Sequence, residues 1–426
     1  MLLSGTDSEL QQTTSYKAVL PFYIFAAFSF LISCILLLLN TGIIQEHYFH
    51  PKTLAITHLM ALGWGTMIIL GASHQLLPVL IEGKLDSYPL AILSFIFAAT
   101  GIPLLVISFY LFNTGLLMQA GAILINASVI CFFLNVIASI EGSKKYNVHA
   151  LFMAAASLWL FITTFFGLML VFNFSRSWLP QNSIEYLSLH AHIGLAGWFL
   201  LMVLGVSTRL IPMFLISKYS NPGILWWIFG LVNTGLLSFI VLKTLQTSEE
   251  YYYGPFLLIL AALLLFAGYC YQAYKERIRK HVDEQMKISL LSVGMLFLPL
   301  ISLLIVIVFI TEKSGSNIVL LYGFSIFFGW ITAIILGMTF KTLPFIIWNK
   351  KYRTNADIKT PAPKDLFSEK LFNIMAILYL TGFFIFIAGI TSLNDILLKS
   401  GAVSLLMSAI VYVWNVIKVV LHKTGK

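Results

Sequence analysis

Residues 190–215, HAHIGLAGWFLLMVLGVSTRLIPMFL, determine how the rest of the chain is interpreted. The stretch begins with His190 and His192, continues through apolar and small residues, and reaches Arg209 and Pro212 near its end. As a helix it would be about 39 Å long, enough to cross a hydrocarbon core of about 30 Å. Ionisable side chains are rare inside membranes, so these histidines are candidates for function.

The composition predicts an all-α integral membrane protein. Of the 426 residues, 59% are hydrophobic and only 10% are charged, and the mean hydropathy is +0.92. Soluble domains carry roughly 25% charged residues. Polar breaks divide the chain into twelve predicted transmembrane helices, near residues 17–44, 51–81, 88–113, 115–140, 149–174, 184–216, 222–246, 252–274, 288–311, 317–348, 368–392 and 395–421.

The net charge of +9 is a topology signal and does not indicate a nucleic-acid partner. The even-numbered connections and the chain ends hold most of the basic residues, whereas the odd-numbered connections hold few. The positive-inside rule therefore predicts cytoplasmic termini, a location in the inner (cytoplasmic) cell membrane, and the lipid bilayer as partner. The basic residues concerned are Lys84, Lys144, Lys145, Lys218, those of segments 275–287 and 349–359, Lys423 and Lys426.

Two further copies of the opening segment occur, HLMALGWGTMIILGASHQLLP at 58–78 and FSIFFGWITAIILGMTFKTLP at 324–344. In each copy a Gly-Trp pair is followed by a glycine eight residues after the first and a proline seven residues later. We number positions in each copy from its first glycine. The matched residues are Gly63, Trp64, Gly71 and Pro78, then Gly197, Trp198, Gly205 and Pro212, then Gly329, Trp330, Gly337 and Pro344.

The copies predict one transmembrane domain, 1–426, made of three pseudo-symmetric four-helix repeats. Their bounds are 17–140, 149–274 and 288–421, and each copy falls on the second helix of its repeat. Equivalent helices of a repeat protein occupy equivalent places, so helices two, six and ten should form the inner wall. The alternative is compositional, because small residues are common where membrane helices meet.

Four histidines lie on the predicted inner-wall helices, and they are the main candidate metal ligands. His58 and His192 both stand five residues before the first glycine, at matching depth, and could face each other across one pore. His190 points about 200° away from His192 on a helix, so it would serve a different metal. Neutral imidazole binds haem iron well, and Gly65 and Gly194 would leave room for a macrocycle. The alternative is that each histidine hydrogen-bonds a neighbouring helix.

At the other end of these helices, His74, Arg209 and Lys341 are expected to converge. Arg209 lies about 25 Å along the helix from His192 at a rise of 1.5 Å per residue. One interpretation is that these residues extend their charges toward lipid phosphates. The other is a polar cluster that gates a proton or anion path or contacts a cofactor, with Arg209 as its candidate residue.

Twelve helices in three arcs, with histidines on helices two and six, resemble the haem–copper oxidase subunit I superfamily. The similarity is greatest to its NnrS-like and nitric-oxide-reductase-like branch. It implies a haem b ligated by His58, copper at His190 or His192, and a role in nitric oxide or oxygen handling, sensing or electron transfer. The only sequence motifs that carry this resemblance are those of the three repeated helices.

The chain departs from that superfamily at two ligand positions. The start of helix seven, NPGILWWIFG, lacks the His-His pair that completes a copper site, and helix ten, YGFSIFFGW, lacks the His-x-His that binds both haems. A complete terminal oxidase is therefore not expected. A relative that has lost these ligands would hold a haem in a different one of the three pores.

The sequence leaves three possible functions open. The first is a haem protein with His58 and His192 as axial ligands, His190 as a copper candidate, and a redox partner or other membrane subunit; whether it is an enzyme is left open. The second is a multi-pass transporter or metal-handling permease, because repeats and glycine-rich helices also mark transporters. The third is a cofactor-free scaffold for assembly of a respiratory complex.

Overall fold

The computed structural model describes residues 14–143, 147–309, 316–352 and 360–423. It confirms the all-α membrane fold, with twelve helices long and apolar enough to cross a bilayer among these residues. We call them α1 to α12. Their bounds are Tyr16–Leu39, Pro51–Leu80, Tyr88–Tyr110, Leu116–Glu141, Val148–Arg176, Leu187–Leu215, Pro222–Thr244, Glu249–Lys275, Glu284–Val308, Ser316–Tyr352, Glu369–Ser392 and Asp395–Val420.

Eight of these helices begin directly after a side chain that caps their first turn. A cap oxygen accepts a hydrogen bond from a backbone N–H that has no partner inside the helix. The polar residues that break the apolar runs therefore also start the next helix. The capping oxygens belong to Ser15, Ser87, Asn147, Asn221, Asp283, Ser368 and Asn394, and Nδ1 of His50 accepts the corresponding bond at the start of α2.

An even number of spans places the start of α1 and the end of α12 on one side of the bundle. We call this side the terminal face, and the opposite side the distal face. Helices α2, α6 and α10 run from the distal to the terminal face. The basic residues Lys144, Lys145 and Lys426, and segment 353–359, lie outside the described residues.

Helices α2, α6 and α10 are the most buried of the twelve. In their apolar windows 72%, 78% and 67% of residues are buried, against at most 50% in any other span. The remaining helices form an outer layer in which α3 pairs with α4, α7 with α8, and α11 with α12. Helix α12 packs on α1 and so closes the ring.

The second glycine of each copy allows the inner helix to pack closely on the first helix of its own predicted repeat. A Cβ at Gly71 would lie 2.7 Å from Cβ of Phe22 on α1. Gly205 is similarly close to Phe152 on α5, and Gly337 to Ser289 on α9. Three equivalent glycines thus make three equivalent helix contacts, which favours the predicted repeats.

The three Gly-Trp segments depart from α-helical geometry in the same way. Residues Leu59–Thr66 of α2, Ile193–Leu200 of α6 and Ser325–Ile331 of α10 form π-helical turns. Such turns are rare, and they occur frequently at functional sites. Two of them begin directly after His58 and His192, so the candidate ligands stand at the distal ends of the π-helical turns.

Candidate functional site

The structure brings His58 of α2 together with His190 of α6 in the distal half of the bundle. Their ring centres are 6.4 Å apart and the ring planes differ by 20°. The repeat alignment predicts that His58 faces His192 across one pore, and the observed pair differs from that expectation. The reason is the relative rotation of α2 and α6, which directs position −5 of α2 toward position −7 of α6.

His192 belongs to a second, separate contact with α10. Its Nε2 lies 3.3 Å from the hydroxyl of Tyr322, and the ring centres are 5.9 Å apart with planes 21° from parallel. Tyr322 occupies position −7 of the third copy, as His190 does in the second. Position −5 of one copy therefore meets position −7 of the next copy at both places.

Each residue at position −5 also contacts an aromatic ring on the following helix. His58 stacks on Phe109 of α3 with centres 4.5 Å apart, and His192 contacts Phe239 of α7 at 4.9 Å. Phe324 stacks on Phe386 of α11 at 4.5 Å. The third copy thus keeps the packing arrangement but replaces the imidazole with a phenyl ring, which has no ligand atom.

The hydrogen bonds of His58 and His192 fix the same tautomer in both rings. Nδ1 of His58 is 2.7 Å from the carbonyl oxygen of Leu54, and Nδ1 of His192 is 2.7 Å from that of Ser188. A carbonyl only accepts, so each Nδ1 carries the proton and donates it. The lone pair of each neutral ring is then on Nε2, which is the arrangement that a carbonyl hydrogen-bonded to Nδ1 imposes on metal-binding histidines.

His190 has a different environment, against α5. A Cβ at Gly167 would lie 2.9 Å from Cε1 of His190, so the ring occupies the space that this glycine leaves. The Nδ1 of His190 is buried and has no hydrogen-bond partner. A buried polar atom without a partner costs free energy, and a bound ligand or ion is one ordinary way in which proteins satisfy such an atom.

Three of the predicted cofactor-binding residues do not lie in the expected surroundings. A Cβ at Gly65 would be 2.8 Å from the ring of Phe199, and one at Gly194 would be 3.1 Å from Cγ2 of Thr163. Both glycines therefore serve helix packing, and the space beside them is filled. Arg209 is exposed near the terminal face, about 25 Å along α6 from His192.

The residues expected to converge near the terminal face have separate partners. His74 is buried between Phe22 and Phe132, with each ring centre 5.5 Å away. Lys341 forms an ion pair with Asp283, the cap of α9, so it links α10 to the start of α9. None of these contacts joins His74, Lys341 or Arg209 to another of the three, and the gating cluster stays a prediction.

Among the described residues, no group of three or more His, Cys, Asp or Glu side chains could hold a metal ion. The copper candidate therefore lacks a triad of protein ligands in the described part of the chain. A haem needs only two axial side chains, and His58 and His190 supply two imidazoles.

No protein-family model matches the chain. A search of curated proteins found no match either.

Proposed function

We propose that the protein is a multi-pass membrane haem protein in which His58 and His190 are the axial ligands. The spacing of the two rings carries this proposal. Two imidazoles that bind one metal from opposite sides, at about 2 Å per metal–nitrogen bond, have ring centres about 6 Å apart. The centres of His58 and His190 are 6.4 Å apart.

The residues around the pair fit this role. The Leu54 carbonyl accepts a hydrogen bond from the protonated Nδ1 of His58. This bond directs the Nε2 lone pair of His58 outward from the helix backbone. Gly167 allows His190 to pack against α5. When bound, a haem would supply one-electron chemistry or small-gas binding. Two imidazole ligands favour electron transfer, because gas binding requires one of them to leave.

His192 and Tyr322 form the corresponding pair between α6 and α10. Histidine and tyrosine both occur as haem-iron ligands, so the second pair could also hold a metal. The hydroxyl of Tyr322 already donates a hydrogen bond to Nε2 of His192. This bond satisfies the imidazole without a metal, and we therefore place the haem at the first pair.

Both termini are proposed to be cytoplasmic, in an inner (cytoplasmic) cell membrane.

The transporter hypothesis is less well supported by the inner wall. The cavity between α2, α6 and α10 is lined by apolar and hydroxyl side chains, and no Asp or Glu is among its described lining residues. The buried indoles of Trp64 and Trp198 lie between this cavity and the histidines. A coupled transporter usually needs intramembrane charges along its path.

The test is a reduced-minus-oxidised visible spectrum with a pyridine haemochrome assay on protein purified in detergent after haem-replete expression. His58→Ala and His190→Ala should abolish the b-type bands, whereas His192→Ala and the exposed control His281→Ala should retain them. Loss in His58→Ala and His192→Ala but not in His190→Ala would restore the pairing predicted from sequence. A colourless wild-type protein would refute haem binding, and the transporter and scaffold hypotheses would then be favoured.

A further inference from the structure

The terminal half of the inner wall lines a partly open cavity of about 90 Å³. It is lined by α2, α6 and α10, together with Tyr23 of α1. The three inner helices contribute equivalent positions to its wall. Six residues after the first glycine of each copy, these positions hold Ile69, Val203 and Ile335. Ten residues after it, they hold Ser73, Ser207 and Thr339. The cavity therefore lies on the axis that relates the three copies.

The hydroxyl groups around this cavity are largely engaged with protein partners. Thr339 bonds the hydroxyl of Tyr412 at 3.1 Å, and Tyr23 bonds Thr342 at 2.9 Å. The Ser73 hydroxyl lies 4.0 Å from the sulfur of Met202. Ser207 is the remaining hydroxyl, and a buried water typically needs two to four polar partners. The cavity is therefore suited to apolar contents.

Two tryptophans stand one helical turn before the cavity lining, Trp64 before Ile68 on α2 and Trp198 before Met202 on α6. Trp198 Nε1 donates to Thr66 at 3.0 Å, and Trp64 Nε1 donates to Thr332 at 3.0 Å. Both indoles are buried, with at most 1% of their surface exposed. These bonds tie α6 to α2 and α2 to α10, so interhelical contacts about one turn from the cavity lining hold the inner wall together.

We propose that this cavity is a binding site for one small, uncharged, apolar molecule of the size of a diatomic gas. An engineered apolar cavity of about 150 Å³ stays dry and binds benzene or xenon. A volume of about 90 Å³ is too small for benzene without rearrangement but admits xenon or a diatomic molecule. Such molecules partition into the bilayer and need no charged group for recognition. The inference goes beyond haem binding and does not depend on it.

The experiment uses xenon as the probe, on the full chain. Crystals of wild-type protein pressurised with xenon should show one site between Ile69, Val203 and Ile335. In solution, titration followed by ¹²⁹Xe NMR should show a saturable site in wild type and its loss in Val206→Phe, which fills the cavity. The matched control is Val241→Phe on the outer face of α7, where the side chain is 53% exposed, and it should bind xenon as wild type does.

Three outcomes would overturn the inference. They are ordered water in the cavity of the crystals, xenon sites only elsewhere, and equal saturable binding in Val206→Phe and wild type. The crystal measurement needs no variant, so it decides the matter even where Val206→Phe does not fold. Because xenon binding requires no haem, a colourless protein that binds xenon would refute the proposed function and leave this inference standing.

Discussion

The indole of Trp198 donates a hydrogen bond to the hydroxyl of Thr66, which is 132 residues away in sequence. Trp64 makes the same bond to Thr332, over 268 residues. Both acceptors stand three residues after the first glycine of their copies, and the third copy's tryptophan, Trp330, would find Leu200 at that position. The contacts run cyclically from each copy to the preceding one, and one of the three acceptors has been replaced.

Removing an acceptor should therefore destabilise the inner wall. Thr66→Val keeps the shape of the side chain but leaves the buried N–H of Trp198 without a partner. We expect a loss of about 1–2 kcal/mol, since hydrogen bonds between membrane helices contribute modestly and an unmade buried bond costs more. The measurement is the free energy of unfolding in mixed micelles.

The control for this substitution is Thr100→Val on the outer face of α3. Thr100 is exposed and its hydroxyl bonds only the carbonyl of Ile96 in the same helix. That variant should unfold within a few tenths of a kcal/mol of wild type. Equal losses in the two variants would contradict the importance of the Trp198–Thr66 bond.

The proposed haem site can also be tested at Gly167, a residue that carries no ligand atom. Gly167→Ala places a methyl group 2.9 Å from Cε1 of His190 and should move the ring. We expect haem content to fall at least several-fold, or the band positions to change, while the protein remains folded. The measurement is the ratio of haem absorbance to protein in purified samples.

Gly268→Ala is its matched control, because a Cβ there meets nothing within 4 Å. Alanine has a higher helix propensity than glycine, so this variant should be as stable as wild type or slightly more so. It should retain full haem content. A normal spectrum in Gly167→Ala would show that His190 tolerates displacement and would count against its role as an axial ligand.

The ion pair between Lys341 and Asp283 should contribute to stability more than the exposed pairs do. The two side chains are 12% and 18% exposed, whereas Lys287 and Glu284 are 56% and 45% exposed. Lys341→Met leaves Asp283 with only Arg279, and we expect a loss of about 2 kcal/mol, below the 3–5 kcal/mol of a fully buried pair. Thermal unfolding in detergent measures it.

Lys287→Met should change stability by less than about 0.5 kcal/mol, because exposed pairs contribute little. A double variant, Lys341→Met with Asp283→Asn, should recover part of the loss. Asparagine caps a helix as well as aspartate does, and it leaves no unpaired charge. No recovery in the double variant would argue that Lys341 acts through packing on Phe214, whose ring it overlies.

His422, just beyond α12, provides a pH-dependent contact at the terminal face. Its Nε2 lies 2.8 Å from the hydroxyl of Tyr352. Burial, followed by the charges of Lys351 and Lys418, lowers the pKa of His422 below its ordinary value of 6.5. The folded state thus binds fewer protons than the unfolded state near that pH. The stabilisation is present above about 6.5 and is lost as the pH falls toward the folded-state pKa.

Histidine-detected NMR should therefore show a pKa below 6.5 for His422. Lys351→Gln and Lys418→Gln should each raise it, because each removes a repelling charge. Lys399→Gln, which alters an exposed pair with Asp395 at the other end of α12, should leave it unchanged. A pKa at or above 6.5 in wild type would be inconsistent with this environment.

Much of the fold could be predicted from sequence, because apolar length and polar breaks are local properties. The predicted spans match the twelve helices to within a few residues at most ends, and α2, α6 and α10 are the most buried, as the Gly-Trp copies predicted. The three-repeat division itself stays a prediction, favoured by the equivalent contacts of Gly71, Gly205 and Gly337.

The candidate site could be predicted only in part. Its residue types and depth follow from the alignment of His58 with His192, but the partner of each depends on how two helices are rotated against each other. That rotation is a tertiary property, and it pairs His58 with His190 and His192 with Tyr322. One signal was present in the sequence, since Tyr322 stands where His190 does in the preceding copy. Gly167 and Phe109 lie outside the copies and gave none.

The π-helical turns of α2, α6 and α10 have a further consequence for how this architecture can change. Each π-helical turn closes with i→i+5 bonds, so it holds one residue more than an α-helical turn. Rewinding that turn as regular α-helix, with the residue kept, would swing everything on its distal side by about 100°. The histidine half of an inner helix can thus be re-aimed by a local change of winding, independently of the cavity half.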